Sequence, residues 1–439
     1  MSQRINRRDV IRGLGAAGIA GLAGCTGGDG GENETTTTTT ESNGGGGGTT
    51  TTTTSGGAMR TLKQGVLLPT TGGLADLGVP IKNAAVLPQK TLQGETDFGL
   101  DFSVQDTQTD ANAAQSAAQS LRNGGYPAVT GAASSEVTLA VAKNVFIPSG
   151  MVGCSPASTS PAITDLQDNN LIWRTPPTDA LQGQVLAQVA TQRLGASTAA
   201  TLYVNNSYGQ LLSESFASAF RNEGGTITNQ VSFQKAKSSY TSRLQSALAD
   251  DPGVIVVIGY PESGKQLFRD FYSDFNSDVP ILVTDGLRSA SLPSDVGNPM
   301  SNVTGTAPLA AGPGKQFFVE QYRKEYGLPE DESPGVFTSQ AFDATAVCLL
   351  ANAAAGENSG SAIAAEMQAV ANPGGQEVTP STLADGLAMA ADGADVQYKG
   401  ASSAVDFDDN GDLKAATYEY FGFKEGGGIR TIDEIKFSA

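Results

Sequence analysis

Histidine is absent from all 439 residues. Without an imidazole the chain cannot run Ser-His-Asp or Cys-His catalysis, nor hold a histidine-ligated zinc. Cysteine is scarce: Cys25, Cys154 and Cys348 are the three in the chain, and their spacing makes neither a metal cluster nor a disulfide framework. Cys154 and Cys348 sit in apolar surroundings and read as small buried hydrophobes. Positive charge is also short, with 27 Lys and Arg against 45 Asp and Glu and a formal net charge of −18. No segment beyond the extreme N-terminus concentrates basic residues, so nucleic acid is not an expected partner. A balance this acidic suits a chain that stays soluble in concentrated salt, and a halophilic, archaeal source is the expectation.

The apolar run Ile11 to Gly24 is too short to span a membrane, but Arg7-Arg8 precede it, as in a twin-arginine export signal. Leu22-Ala23-Gly24-Cys25 closes it as a lipobox does, which makes Cys25 the expected lipid attachment point. From Thr26 to Ala58 the chain is mostly Gly, Thr and Ser with a few acids. It has too little apolar area to offset chain entropy, and reads as a disordered stalk. The reading is therefore a signal with lipobox over 1–25, a stalk over 26–58, and a folded part held at the extracellular face of a membrane by its lipid.

The folded part alternates strand and helix patterns, which implies α/β architecture with mostly parallel, doubly wound sheets. Strands are expected at Leu62 to Leu68, Leu100 to Gln105 and Pro127 to Thr130, with another in the apolar run Val145 to Val152. Helices are expected from Leu77, with Pro88 kinking or shortening the first, and across Asp110 to Arg122. The rhythm breaks at Trp173 to Thr178 and resumes with strands at Ala200 to Val204, Val231 to Phe233, Gly253 to Ile258 and Pro280 to Thr284, separated by helices such as Thr241 to Leu248. Gly305 to Gly314 reads as a return crossing, Thr338 to Ala355 as a helix that rejoins the first half, and Tyr398 to Ser403 as a third crossing that leads to two closing strands. These divide the chain into lobe 1 (59–176 and 309–400) and lobe 2 (177–308 and 401–439), joined by three crossover segments around a cleft.

Two hydroxyl-rich turns, Gly131-Ala132-Ala133-Ser134-Ser135 and Ser155-Pro156-Ala157-Ser158-Thr159-Ser160-Pro161, each end an apolar run and open a helical pattern. Ligands of open α/β sheets bind at that edge, and helix N-termini there favour an anion. Two motifs are decoys. Gly259 to Lys265 satisfies GxxxxGK, yet Gln266 stands where a magnesium-binding hydroxyl belongs and Pro261 removes a backbone donor. Asp406 to Gly411 mimics half a calcium loop, but its twelfth position is Thr417, and a hairpin turn between Ala404 to Phe407 and Ala416 to Phe421 is the better reading.

From Met59 on, the order and spacing of Thr71-Gly72, Gly131 to Ser135, Ser155 to Pro161, Asn206-Ser207-Tyr208-Gly209, Gly259-Tyr260-Pro261-Glu262, Thr284-Asp285-Gly286 and Asp406 to Asp412 resemble the Leu/Ile/Val-binding type of extracellular solute receptors of ABC importers. The resemblance implies the type I periplasmic-binding fold and a monomeric, non-enzymatic binder of an amino acid, or a related small amide, with no cofactor or metal. An ABC permease with its ATPase subunits would be the membrane partner. It places Ser135, Ser158 and Thr159 around the ligand carboxylate, Tyr208 and Tyr260 as closing groups from lobe 2, and Asp285 opposite the α-ammonium. Leu77 stands where branched-chain receptors often carry an aromatic, which leaves the side chain bound undefined. The alternatives are a ligand-sensing ectodomain for a signalling partner, and a hydrolase on the same fold.

Overall fold

The computed structural model describes residues 59–275 and 278–438; the export signal, Cys25 and the stalk lie outside the described residues. Two α/β layers account for the rest. The first begins β1 (Met59–Leu68), α1 (Ala75–Thr91), β2 (Phe98–Asp106), α2 (Ala111–Asn123), β3 (Ala128–Gly131), α3 (Ser135–Val141), β4 (Val152–Ser155) and β5 (Ile172–Arg174). Its sheet has the order β2-β1-β3-β4-β5 and is parallel throughout. The second comprises α4 (Asp179–Gln188), β6 (Thr198–Val204), α5 (Ser207–Asn222), β7 (Thr226–Phe233), α6 (Thr241–Leu248), β8 (Val254–Ile258), α7 (Pro261–Asp274), β9 (Ile281–Val283) and β10 (Val303–Pro308). The chain returns to the first layer through α8 (Lys315–Tyr326), α9 (Thr338–Ala355), α10 (Gly360–Ala371), β11 (Gln376–Val378), α11 (Leu383–Ala391) and β12 (Val396–Tyr398). It closes on the second with β13 (Ala415–Phe423) and β14 (Ile429–Ser438), giving the sheet order β14-β13-β10-β9-β8-β6-β7. Only the β10–β13 and β13–β14 pairings in that sheet are antiparallel. The expected two-lobed, mostly parallel α/β fold is therefore present.

Several local expectations differ. Helix α1 runs through both Pro80 and Pro88 to Thr91; burial of Leu77, Ile81, Ala84, Ala85 and Leu87 along it offsets the bonds that proline removes. The apolar run Val145 to Val152 is not one strand. Its first residues continue α3 through a wide helical turn, Ala142–Phe146, and the strand starts at Val152. The closing strands are β13 and β14, and Phe407 makes only a single bridge, to Leu413. Part of the Gly305 to Gly314 run is β10.

The crossings are tied to one another. Ala311 N donates to Ser402 O at 2.8 Å and Gly314 N to Gly400 O at 3.0 Å, so the second and third run side by side. Gly312 permits this approach, since a Cβ there would stand 2.2 Å from Gly400 O. Asp343 of α9 fixes the third crossing, accepting from Tyr398 Oη at 2.9 Å, Ala401 N at 2.8 Å and Ser402 N at 2.7 Å. Arg174 of the first crossing is joined to Asp412, in the loop after the third, by a buried ion pair, Nε to Oδ1 at 2.6 Å, with Arg174 Nη1 on Ser160 O at 2.7 Å. Asp412 is thus committed to Arg174, Asp406 to Lys414 at 2.7 Å, and Asp408 Oδ1 to backbone N–H groups of Asn410 and Asp412, so three of the loop's four carboxylates are spent on protein groups.

Candidate ligand-binding site

A doubly wound sheet leaves a crevice where its strand order reverses. In the first sheet that point lies between β1 and β3, and in the second between β6 and β8. The loops leaving these strands face each other across a small cavity. The first lobe contributes Leu74, Leu77, Gly78 and Ile81 after β1, Ala133 to Ser135 after β3, and Ala157 after β4. The second contributes Tyr208 after β6, Tyr260 after β8, and Asp285 with Gly286 after β9. Phe337, just ahead of α9, completes the wall.

Part of the wall is made of hydroxyls. Ser135 Oγ accepts from Thr159 N and Ser160 N, both at 3.3 Å. With its lone pairs engaged, its own O–H remains to donate. Ser134 precedes α3 without capping it and lies 3.4 Å from Tyr260 Oη across the cleft. The carboxylate of the wall is Asp285, buried, with Tyr208 Oη 3.3 Å from each of its oxygens. Burial, only partly offset by hydrogen bonds from Gln182 and Tyr208, lifts its carboxyl from 3.8 to about 6. Tyr208 stacks on Tyr260 with centroids 5.7 Å apart. Burial pushes the Tyr260 phenol up to about 12, and raises that of Tyr208, with the Asp285 charge as its next cause. Both phenols therefore stay neutral donors. The remaining wall is apolar, and no lysine or arginine lines it among the described residues.

Of the residues expected from sequence, Leu77, Ser135, Tyr208, Tyr260 and Asp285 meet at this cavity. Ser158 and Thr159 do not line it. The Ser158 hydroxyl is spent on Ala133 O at 2.9 Å and on Thr138 Oγ1 at 2.7 Å, knitting the two turns together. Thr159 is turned beneath the site toward Asp179, whose N–H its carbonyl accepts at 2.8 Å. Sequence reading passed over Ser134, Phe337 and Asp179. Phe337 has φ of 63°, a left-handed conformation that a bulky residue enters at a cost on the order of 1–3 kcal/mol. An isolated Phe gives no warning of that. Asp179, at the start of α4, reads in sequence as a helix-start acid, yet it is fully buried and neither oxygen has a hydrogen-bond partner.

Around the mouth the lobes touch through exposed groups. Lys265 of α7 pairs with Asp76 of α1 at 2.7 Å, and Lys235 with Glu136 of α3 at 3.3 Å. The GxxxxGK lysine is thus a rim residue paired with carboxylates, and the motif's Tyr260 faces the cavity.

A two-lobed binder with its site at paired switch points is the class these features define, and the chain belongs to the receptor family ligand binding region, whose pattern matches residues 89–426. Among curated proteins it is 26% identical over 308 residues to the chemotactic signal transduction system substrate-binding protein BasB of Halobacterium salinarum, covering 69% of this chain and 71% of that one. In fold it resembles the leucine binding protein LivK of Thermotoga maritima, with a TM-score of 0.71, 23% identity, and coverage of 86% of this chain and 98% of that one. A solute-binding protein of an ABC transporter from R. palustris, solved with benzoate, gives a TM-score of 0.69 at 16% identity, covering 86% and 98% of the two chains. Among the described residues no helix is long and apolar enough to cross a membrane.

Proposed function

We propose that the protein is an extracellular, lipid-anchored binding protein for an α-amino acid with an apolar side chain, which it presents to an ABC permease and its ATPase subunits. The observation that carries this reading is the make-up of the cavity wall: a lone carboxylate, Asp285, hydroxyl groups on Ser134, Ser135, Tyr208 and Tyr260, and apolar residues for the rest. A zwitterion satisfies both polar groups. Its ammonium neutralises a buried acid that has no cation of its own, and its carboxylate takes the Ser134 and Ser135 hydroxyls. Leu74, Leu77, Ile81 and Phe337 suit an aliphatic side chain. Binding residues are then Leu77, Ser134, Ser135, Tyr208, Tyr260, Asp285 and Phe337, with Ser158 and Thr159 shaping the loops beneath. Closure of the lobes over the ligand is the signal a membrane partner reads. Cys25 supplies the anchor, and the net charge of −18 fits a high-salt habitat.

The likeness to BasB supports a second reading of the partner, in which the closed protein docks on a chemotaxis transducer instead of a permease. Pull-down of either membrane protein from solubilised source membranes with the liganded protein discriminates them. The ligand class is tested by calorimetry with the proteinogenic amino acids beside 4-methylpentanoate and 3-methylbutylamine, which each lack one charged end of leucine. An apolar amino acid should bind, and each analogue should lose about tenfold or more in affinity. Equal binding of 4-methylpentanoate and leucine refutes the ammonium site.

A further inference from the structure

The ammonium end of the cavity holds more negative charge than one ligand cation balances. Behind Asp285 lies Asp179, fully buried with neither oxygen hydrogen-bonded; it stands one turn ahead of Gln182 on α4, whose amide donates at 3.0 Å to Thr306 O on β10, the strand paired with the one that Asp285 follows. The groups that face this pair come from several elements. Tyr208 of α5 and Tyr418 of β13 face both acids and are held neutral by burial and by them. Tyr260, at the start of α7, faces Asp285 and is neutral too. Gln182 and Thr159 offer only dipoles. Arg174 is the one cation that bears on Asp179, as the least of the influences on it, and its guanidinium is engaged by Asp412, Ser160 O and Thr164.

Two carboxylates enclosed together without a cation do not both stay ionised. We infer that Asp179 and Asp285 share one proton in the empty protein, and that an arriving ammonium expels it, so that ligand uptake is a cation-for-proton exchange. The inference rests on the amino-acid reading above. The carboxylic O–H breaks, its electron pair stays on oxygen, and the proton passes to solvent. Asp179 does not line the cavity; it is a positioning residue that acts through Asp285 by holding the proton behind it. The direction of both perturbations agrees: burial and the Asp285 charge raise Asp179 well above the carboxyl range, and Asp285 itself stands at about 6. The bound ammonium lowers both, so affinity rises with pH across the window between bound and empty values, by up to about tenfold per pH unit, and levels off above it.

Calorimetry of the full chain with L-leucine, in buffers of different ionisation heat from about pH 5 to about pH 8, reads the exchange. Up to one proton released per leucine is expected at the acid end, and fewer toward the alkaline end. Asp179→Asn should still bind leucine but release fewer protons near neutral pH, because the buried carboxyl that is raised furthest is gone. Infrared difference spectra of the wild type should lose a protonated-carboxyl C=O band on adding leucine, a readout that does not depend on the variant folding. Leucine binding with no buffer-dependent heat and no lost band overturns the exchange and leaves the amino-acid reading intact. Failure of every proteinogenic amino acid to bind overturns both.

Discussion

Replacing Asp285 by Asn should move affinity and stability in opposite directions. In the empty protein the carboxyl is buried and displaced from 3.8 to about 6. Between those values the folded chain keeps a proton that the unfolded chain has lost, so this residue's contribution to stability falls as pH rises across the interval. Above it the full penalty stands, on the order of 3 kcal/mol. Asn keeps the shape and accepts the Tyr208 hydrogen bond without carrying the charge. Empty Asp285→Asn should therefore unfold at a temperature higher by roughly 5 °C near neutral pH, with the gain shrinking toward pH 4. Leucine-class ligands should bind it more weakly by about 2–5 kcal/mol, since one member of a buried charge pair has been removed, a loss of about thirtyfold to several thousandfold. Differential scanning calorimetry with and without ligand reads both effects on one sample. Unchanged affinity with a lower melting temperature would refute the reasoning, and would return Asp285 to a turn role ahead of Gly286.

Asp343→Ala strips the third crossing of its acceptor and leaves buried N–H and O–H donors unpaired, so denaturant unfolding should show a loss of about 3–5 kcal/mol; a loss below about 1 kcal/mol counts against the tie. Gly78→Ala places a methyl 1.8 Å from Pro69 O, which pushes α1 away from the β1 loop; destabilisation of about 1–3 kcal/mol with weakened ligand binding is expected, and wild-type affinity would show that the cavity tolerates the shift. Cys25→Ser should be exported but recovered from the medium, and full retention in the membrane fraction would exclude the thiol as the anchor.

The alternation of elements was legible because the fully buried strands are continuous apolar runs, as in Val254–Ile258, and because Thr241–Leu248 and Thr338–Ala355 carry long helical patterns between clear breaks. Pro88 misled because its local cost is visible in sequence and the burial that offsets it is not. Helix α8 was passed over since only Phe318 and Tyr322, a single i,i+4 pair, mark its inner face among charged neighbours. At the site, residues that end strands at the switch points could be picked out by type and place. Ser158 and Ser135 cannot be told apart in sequence: both are serines in hydroxyl-rich turns, and only the fold decides which one turns to the cavity. Asp179 needs three dimensions as well, since nothing in the chain near it announces that Asp285 lies close by.

The rim pairs Asp76–Lys265 and Glu136–Lys235 set both anions on one lobe and both cations on the other. Exposed pairs of this kind are worth about 0–1 kcal/mol, and at molar salt, where charges are felt over only about 3 Å, their pull across an opened cleft vanishes. In dilute buffer these two pairs favour the lobes being together, although Lys265 is shared with Asp295 of its own lobe; in brine they do not. In such salt closure would be left to the cargo, and a partner that reads the closed form would receive few false messages from an unladen carrier.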